Sequence, residues 1–301
     1  MAKKSAFITG GASGMGLAVA EALAARTHEA WDLHLVDLNA EAGAQAASAV
    51  KNAHFHQADV TNYESLTSAF ENAFAISGRF DLVYANAGIV ERDNFYQKHD
   101  LSRPPPPPNQ LSIDINFKSV VSTAYLALHY FRKSSHGASM APALVMTASC
   151  GGLYPSEFCP MYSGAKAAVV HFNRTIAYPF HSENIRTYVT CPGTIQTNLL
   201  SSEEWESFPK QYFTPMDTLV KAVEVLVDGG DMTDSRGKKV AGEDAWGLTV
   251  EVNRGNFYFR ENNAYCDEDM EAMMKFTSME GQLARMEKTK SEQAKGIFMK
   301  L

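Results

Sequence analysis

The segment TGGASGMG, residues 9–16, contains four glycines among eight residues near the start of the chain. It follows a short apolar run at 5–9 and precedes an alanine-rich stretch at 17–26 that favours a helix. A helix N-terminus presents free backbone N–H groups and partial positive charge, and glycines let an anion reach them because no Cβ intervenes. The pattern predicts a strand, an anion-binding turn and a helix, although glycines alone also fit a turn that binds nothing.

The alternation of apolar runs and helical stretches continues along most of the chain. Further strands are predicted at 32–37, 54–60, 80–88, 143–149, 185–193 and 246–260, the last with a turn. Helices are predicted at 40–50, 63–76, 111–133, 163–179 and 215–227, and the fourth of these ends at its proline. Strands separated by such helices pair in parallel through right-handed crossovers. We predict one doubly wound α/β sheet of about seven strands with helices on both faces over residues 1–260, and a C-terminal helical tail over 261–301.

Composition and charge restrict the function. The chain has 301 residues and a formal net charge of -7, which argues against binding to nucleic acid through phosphate contacts. Its four cysteines include no CxxC pair, so we predict no disulfide framework. The segment MAKKSAFITGG lacks a signal-peptide core and no long apolar run follows, so we expect a cytoplasmic protein without a membrane span. His54 and His56 alternate on a predicted strand without further suitably spaced ligands, and we predict no metal site.

Two segments depart from the alternating pattern. RPPPPPN at 103–109 predicts a polyproline surface loop rather than a recognition peptide. The tail carries apolar residues at 276, 279, 283 and 286, a helical spacing. That face could cover a pocket, contact a second subunit or rest on a membrane surface, and packing on its own domain is the favoured interpretation.

Asp37 distinguishes a dinucleotide site from an empty glycine turn. It ends the second predicted strand, about 20 residues after Gly16, where a carboxylate accepts hydrogen bonds from ribose hydroxyls. The same charge would repel the 2′-phosphate of NADP, and no Arg or Lys stands beside it in VDLN. Gly10 would allow the tight turn, Gly14 the close approach of phosphates and Gly16 the packing of helix on sheet. These residues predict NAD as cofactor.

Further motifs follow in a fixed order. They are QADVT with Asp59 and Val60, NAG at 86–88, DINFKSV with Asn116, Ser149, YSGAK at 162–166 and CPGTIQT at 191–197. Together with TGGASGMG they resemble the short-chain dehydrogenases/reductases over about residues 5–260, and most nearly NAD-dependent alcohol oxidisers of the hydroxyprostaglandin dehydrogenase type and related fungal enzymes. The resemblance implies a Rossmann fold and a homodimer or homotetramer.

The resemblance also implies the site residues. The cofactor would be bound by Gly10, Ser13, Gly14, Met15, Gly16, Asp37, Asp59, Val60, Asn86, Ala87, Gly88, Tyr162, Lys166, Pro192, Gly193, Ile195 and Thr197. The implied catalytic residues are Asn116, Ser149, Tyr162 and Lys166.

Tyr162 and Lys166 are four residues apart, so a helix places them on one face. A free tyrosine has a pKa near ~10, and a nearby ammonium favours the phenolate. We expect Tyr162 to take the proton of an alcohol while hydride passes to NAD, with Ser149 holding the substrate oxygen. Lys166 would also bind the nicotinamide ribose, and Asn116 would hold a water for proton transfer. A Tyr and Lys at this spacing alone are common on solvated helices.

The residues expected around the substrate are apolar. In the resembling family, the segment at about 195–216 forms a lid over the substrate. Here that segment and the residues before Tyr162 offer Leu153, Tyr154, Phe158, Met161, Leu199, Leu200, Trp205, Phe208, Tyr212 and Phe213. Such a lining suits a bulky lipophilic secondary alcohol, such as a terpenoid, steroid or lipid. The alternatives are an NADPH-dependent ketone reductase and a non-catalytic NAD-binding regulator.

Overall fold

The structure is a computed structural model that describes residues 3–136 and 141–294. It divides into two compact units, Met1–Arg260 and Glu261–Leu301. The strands, all in the first unit, are β1 (Lys4–Thr9), β2 (Trp31–Asp37), β3 (Ala53–Gln57), β4 (Leu82–Ala85), β5 (Ala143–Thr147), β6 (Arg186–Pro192), β7 (Met232–Thr233), β8 (Lys239–Val240), β9 (Leu248–Asn253) and β10 (Asn256–Arg260).

Helices join the strands of the first unit. They are α1 (Gly14–Ala25), α2 (Ala40–Ala49), α3 (Tyr63–Ser77), α4 (Leu111–Ile113), α5 (Ser119–Lys133), α6 (Pro160–His181), α7 (Ser202–Glu206) and α8 (Met216–Asp228). A π-helical segment, Asp114–Lys118, connects α4 to α5. The second unit contains α9 (Glu268–Thr277) and α10 (Met279–Ala294), and the side chains at 276, 279, 283 and 286 are exposed.

In the described part of the chain, eight strands form the main sheet in the order β10-β9-β6-β5-β4-β1-β2-β3. All neighbours are parallel except β9 and β10. The doubly wound sheet with helices on both faces is therefore confirmed. The strand order reverses between β1 and β4, and ligands of such sheets bind in the crevice beyond the carboxyl ends at that point.

Two hydrophobic clusters fix the helices to the sheet. On one face, Val19 of α1 and Val223 of α8 pack with Leu35. On the other face, Phe70 of α3 and Val169 of α6 pack with the strand side chains that alternate with those of the first cluster. Because side chains alternate across a strand, the central strands β1, β2, β4, β5 and β6 contribute to both clusters and bury both faces of the sheet.

The structure differs from the predicted elements in the last strand and in two helices. Residues 246–260 form two antiparallel strands, so the sheet has eight strands instead of about seven; the turn between them holds Arg254 at φ 52. The helix predicted at 111–133 is interrupted by its π segment. The helix predicted to end at Pro179 begins at Pro160 and ends at His181, because a proline in the last turn removes one N–H bond without stopping the chain. No helix within residues 3–136 and 141–294 is long and apolar enough to cross a membrane.

Candidate active site

The glycine turn after β1 depends on close packing against the end of β4. Gly10 and Gly14 have positive φ values of 64° and 54°, which L side chains rarely adopt. A Cβ on Gly10 would lie 2.9 Å from Cα of Ala87, and one on Gly16 would lie 2.3 Å from the Gly10 carbonyl oxygen. Glycine is therefore required for the turn itself and for the approach of α1.

The start of α1 offers backbone donors to a ligand. Asn39 caps α2 and Asn62 caps α3 through side-chain oxygens. Among the described residues, no such capping bond comes from Ser13 at the start of α1. Gly14 and Met15 line a cavity together with Ser13. A helix start that is open, positive and free of blocking Cβ atoms fits the pyrophosphate of a dinucleotide.

One cavity of about 720 Å³ contains nearly all of the predicted site. It is lined by Gly10, Ser13, Gly14, Met15, Asp37, Asp59, Val60, Asn86, Ala87, Gly88, Asn116, Ser149, Tyr162, Lys166, Pro192, Gly193, Ile195 and Thr197. Gly16 does not line it and supports the turn from behind. The structure thus places the predicted cofactor and catalytic residues around a single space.

Asp37 is held at the end of β2 by backbone donors. Its Oδ2 accepts from Ala12 N–H at 3.2 Å and its Oδ1 from Asn39 N–H at 3.1 Å. Asp59, which follows β3, accepts from both the N–H and the hydroxyl of Thr61. Both carboxylates line the cavity beyond the glycine turn. They fit the adenosine half of a dinucleotide, where a carboxylate can bind ribose hydroxyls.

Asn86 links the ends of three strands. Its Nδ2 donates to the carbonyls of Thr9 and Gly10, each at 3.3 Å, and its Oδ1 accepts from the Thr147 hydroxyl at 3.1 Å. Asn86 is 8% exposed. The side chain therefore fixes the glycine turn as well as lining the cavity.

Asn116 lies in the π-helical segment and is fully buried. Its Nδ2 donates to the carbonyls of Ile89 and Ser112, each at 2.7 Å, and its Oδ1 accepts from Ile89 N–H at 3.2 Å. Both amide hydrogens are in use, so a water held at Asn116 has to bond to Oδ1 or to the backbone carbonyl. π-bulges of this kind often occur at functional sites.

Ser149, Tyr162 and Lys166, which the sequence predicts to be catalytic, line one cavity together. Ser149 Oγ accepts from Gly151 N–H at 3.1 Å, and the Ser149 side chain lies near enough to the Tyr162 phenol to act on its pKa. Lys166 is 3% exposed, and its Nζ donates to the Thr147 carbonyl at 2.8 Å. The ammonium lies 5.7 Å from the centre of the Tyr162 ring. A phenol, a hydroxyl and an amine therefore line the cavity close to one another.

The protein alone does not lower the pKa of the phenol. Burial raises the pKa of Tyr162 to about 12, against the effect of the Ser149 hydrogen bond. Burial also lowers the pKa of Lys166 to about 8. The expected lowering of the Tyr162 pKa by Lys166 is not seen, because burial is the largest effect on the pKa of both side chains.

The histidines of β3 belong to a cluster away from the cavity. His56 Nε2 lies 3.0 Å from Nδ1 of His34, and the other ring nitrogen of His34 lies 2.7 Å from the Ser77 hydroxyl. Among the described residues no group of three His, Cys, Asp or Glu side chains could hold a metal ion.

Some residues around the site carry no sequence signal. Glu91 accepts a hydrogen bond from the backbone of Tyr162, and Arg92 lines the cavity. Glu251 of β9 accepts from the Tyr154 hydroxyl at 3.1 Å on both oxygens and so holds the segment between Ser149 and Tyr162. Glu91 and Arg92 are the third and fourth residues after the NAG motif, and no pattern in the sequence marks them as part of the site.

The sequence model of a family described as short chain dehydrogenase matches residues 4–207. The chain belongs to the short-chain dehydrogenase family. Among its relatives is the short-chain dehydrogenase/reductase prx7 of Penicillium rubens, 44% identical over 89% of this chain and 98% of that protein. Human 15-hydroxyprostaglandin dehydrogenase [NAD(+)] is 31% identical over 71% of this chain and 76% of that protein.

A solved structure shows the same fold as this short-chain dehydrogenase. The 3-ketoacyl-(acyl-carrier-protein) reductase of Brucella melitensis, complexed with NADH, superposes with a TM-score of 0.67 at 21% identity, over 84% of this chain and 97% of that one. The resemblance to the family predicted from the motifs is confirmed. This short-chain dehydrogenase is an oxidoreductase of a family that binds nicotinamide cofactors.

Proposed function

We propose that this short-chain dehydrogenase oxidises a lipophilic secondary alcohol to a ketone with NAD+. The observation that carries the proposal is the lining of one cavity by the glycine turn, Asp37, Ser149, Tyr162 and Lys166. The adenosine end supplies a carboxylate and the other end a proton acceptor, an oxygen-binding hydroxyl and an ammonium. This is the set that a hydride-transferring alcohol dehydrogenase needs.

Each catalytic side chain has a defined task. Ser149 binds the substrate oxygen and directs its hydroxyl towards Tyr162. The phenolate oxygen of Tyr162 accepts the hydroxyl proton while the carbinol C–H bond breaks. Lys166 stabilises the phenolate by its charge, and Asn116 holds a water that carries the proton to solvent. The site would hold oxidised nicotinamide beside these residues, and the cofactor would supply the hydride acceptor and a second positive charge near the phenol.

Asp37 supports NAD over NADP. A fixed carboxylate accepts hydrogen bonds from both ribose hydroxyls and repels a 2′-phosphate. The human relative at 31% identity is named as an NAD(+) enzyme, which agrees with this choice.

The residues around the substrate end support a lipophilic alcohol. Leu199, Leu200, Trp205 and Phe208 of the predicted lid line the cavity. Trp205 is 6% exposed, and its indole N–H donates to the Thr197 carbonyl at 2.8 Å. An apolar wall with few polar groups favours a substrate whose hydroxyl is its main polar contact.

The proposal is tested by assaying lipophilic secondary alcohols with NAD and with NADP, following reduced nicotinamide by absorbance. Tyr162→Phe is expected to lose turnover by at least about 10²-fold, since general base catalysis is removed, while NAD still binds in calorimetry. Turnover by Tyr162→Phe near the wild-type rate would refute the assignment of the base. A preference for NADP would instead indicate a ketone reductase. Binding of NAD without turnover of any alcohol would indicate a non-catalytic regulator.

A further inference from the structure

The residues that follow the NAG motif touch three parts of the active site. Ile89 exchanges backbone hydrogen bonds with the Asn116 side chain, at 2.7 and 3.2 Å. Glu91 Oε2 accepts from the backbone N–H of Tyr162 at 2.6 Å. Arg92 extends in another direction and bonds the lid. Four consecutive residues thus connect the π segment, the catalytic tyrosine and the lid.

Glu91 completes the first turn of α6. Pro160 starts this helix and has no N–H, and among the described residues Cys159 makes no side-chain capping bond. The N–H of Tyr162, the third helical residue, would therefore lack a partner within the helix. A carboxylate is the favoured partner there because the helix N-terminus is partially positive. Glu91 supplies the cap from a distant part of the chain and restrains the turn that carries the phenol.

The second oxygen of Glu91 shows that this contact is costly. Oε1 is buried and has no hydrogen-bond partner within residues 3–136 and 141–294. Burial of an unpaired carboxylate oxygen opposes folding. Burial of this second oxygen offsets part of the stability that the cap on α6 contributes, so stability alone does not account for the contact, which points to a role at Tyr162.

Arg92 connects the same segment to the lid. Its Nη2 donates to the Leu199 carbonyl at 3.0 Å, and its Nη1 lies 2.5 Å from Oε1 of Glu204. Glu204 belongs to α7, where it forms a capping box with Ser201. The next residue is Trp205, which lines the cavity. The lid is therefore held by the side chain adjacent to the one that holds Tyr162.

We propose that Glu91 is a positioning residue for Tyr162 and that Arg92 links it to the lid, so that the phenol is held in its reactive position when the lid lies against this segment. The proposal rests on the proposed role of Tyr162 as base. Neither residue contacts the reacting atoms, and both act through the placement of others.

The first test compares Glu91→Asp with Glu91→Gln. Aspartate is shorter by one methylene and withdraws the acceptor from Tyr162, whereas glutamine keeps an acceptor oxygen at the original reach. We expect Glu91→Asp to lower kcat by about 10- to 100-fold, because a small displacement of a catalytic group slows the reaction strongly. We expect Glu91→Gln to keep kcat within about threefold of wild type. A deuterated alcohol should show a larger isotope effect on kcat in Glu91→Asp, which a loss of stability would not produce. Asp93→Asn in the same segment is the control and should leave kcat unchanged.

The second test addresses the link to the lid. Arg92→Gln is expected to raise KM for the alcohol and to lower kcat at least about threefold. In the Glu91→Asp background, Arg92→Gln should have no further effect on kcat, because the effects of residues that act as one unit are not additive. Glu203→Gln, next to Glu204, serves as the matched control. The dissociation constant for NAD should be the same in every variant by calorimetry.

The outcomes separate this inference from the proposed function. A kcat of Glu91→Asp within twofold of wild type, or additive effects of the two substitutions on kcat, would overturn the link while Tyr162→Phe remains inactive. Wild-type turnover by Tyr162→Phe would instead refute the role of Tyr162 itself, whatever Glu91→Asp does.

Discussion

Burial is the largest effect on the pKa of both Tyr162 and Lys166. Burial raises the pKa of Tyr162 to about 12 and lowers the pKa of Lys166 to about 8. The folded chain therefore favours a neutral phenol. Alcohol oxidation needs the phenolate, so its rate should rise with pH as the phenol ionises, and every cation near the ring should move that rise to lower pH.

Lys166→Met tests this electrostatic role. Loss of the ammonium is expected to move the rising limb of alcohol oxidation about 1–2 pH units upward, because an opposite charge within a few ångströms shifts a pKa by that amount. The measurement is the pH dependence of kcat at saturating NAD. Lys221→Met, on the exposed face of α8, should leave the profile unchanged; an unshifted limb in Lys166→Met would exclude the charge effect.

Asp37→Asn tests the choice of cofactor. Asparagine keeps the size of the side chain but removes the charge that binds ribose hydroxyls and repels a phosphate. We expect NAD to bind about 10- to 100-fold more weakly, the usual effect of losing hydrogen bonds to a charged group, and the ratio of NADP to NAD affinity to rise. Calorimetry with both cofactors gives the two constants, and Asp217→Asn is the control. Equal NAD affinity in wild type and Asp37→Asn would remove Asp37 from the cofactor site.

The strands β2 and β3 carry three neighbouring histidines. His34 pairs with His54 in register, and burial lowers the pKa of His34 to about 3, with His56 and His54 adding to the effect. Burial also lowers the pKa of His56 to about 4. Both rings are neutral in the folded protein at neutral pH, so the edge of the sheet buries uncharged imidazoles.

This cluster predicts an acid-sensitive edge of the sheet. Below the ordinary histidine pKa of 6.5 the unfolded chain binds protons that the folded chain does not, so the free energy of unfolding falls as the pH drops towards about 4. Each histidine contributes a slope of up to about 1.4 kcal/mol per pH unit. His56→Gln should reduce the slope by that amount in urea unfolding between pH 6.5 and 4, and His28→Gln, at an exposed side chain, should not. Identical slopes in His56→Gln and wild type would contradict the assignment.

Most elements of the first unit could be predicted from sequence, and the exceptions have physical reasons. Apolar periodicity and glycine placement are local, and they locate β1, α1 and the turn between them. The segment 246–260 was predicted as one strand with a turn, and the structure makes it the two antiparallel strands β9 and β10. The positive φ of Arg254 between them has no signal in its side-chain type. The π segment was predicted as ordinary helix because local apolar periodicity does not distinguish the two, and its Asn116 bonds Ile89, a residue distant in the sequence.

The two compact units suggest that the first is self-sufficient. Met1–Arg260 contains the whole main sheet and both hydrophobic clusters. A chain ending at Arg260 is expected to fold and to bind NAD within roughly twofold of the full chain, as a domain with its own core does. Circular dichroism and calorimetry would measure both. Failure of this shorter chain to fold would show that its stability depends on residues 261–301.

The sequence by itself determines where the main residues of the site lie, namely the glycine turn, Asp37, Ser149, Tyr162 and Lys166. Each of them is placed by its own strand or helix, and the carboxyl ends of parallel strands meet at one edge of the sheet. Three-dimensional folding alone created the contacts of Glu91 with Tyr162, of Arg92 with Glu204 and of Tyr154 with Glu251. These pairs are 71, 112 and 97 residues apart. The pKa of Tyr162 is also decided by the tertiary structure. The sequence determines that a tyrosine stands at position 162, but the pKa of its phenol depends on how completely the walls of the cavity exclude water.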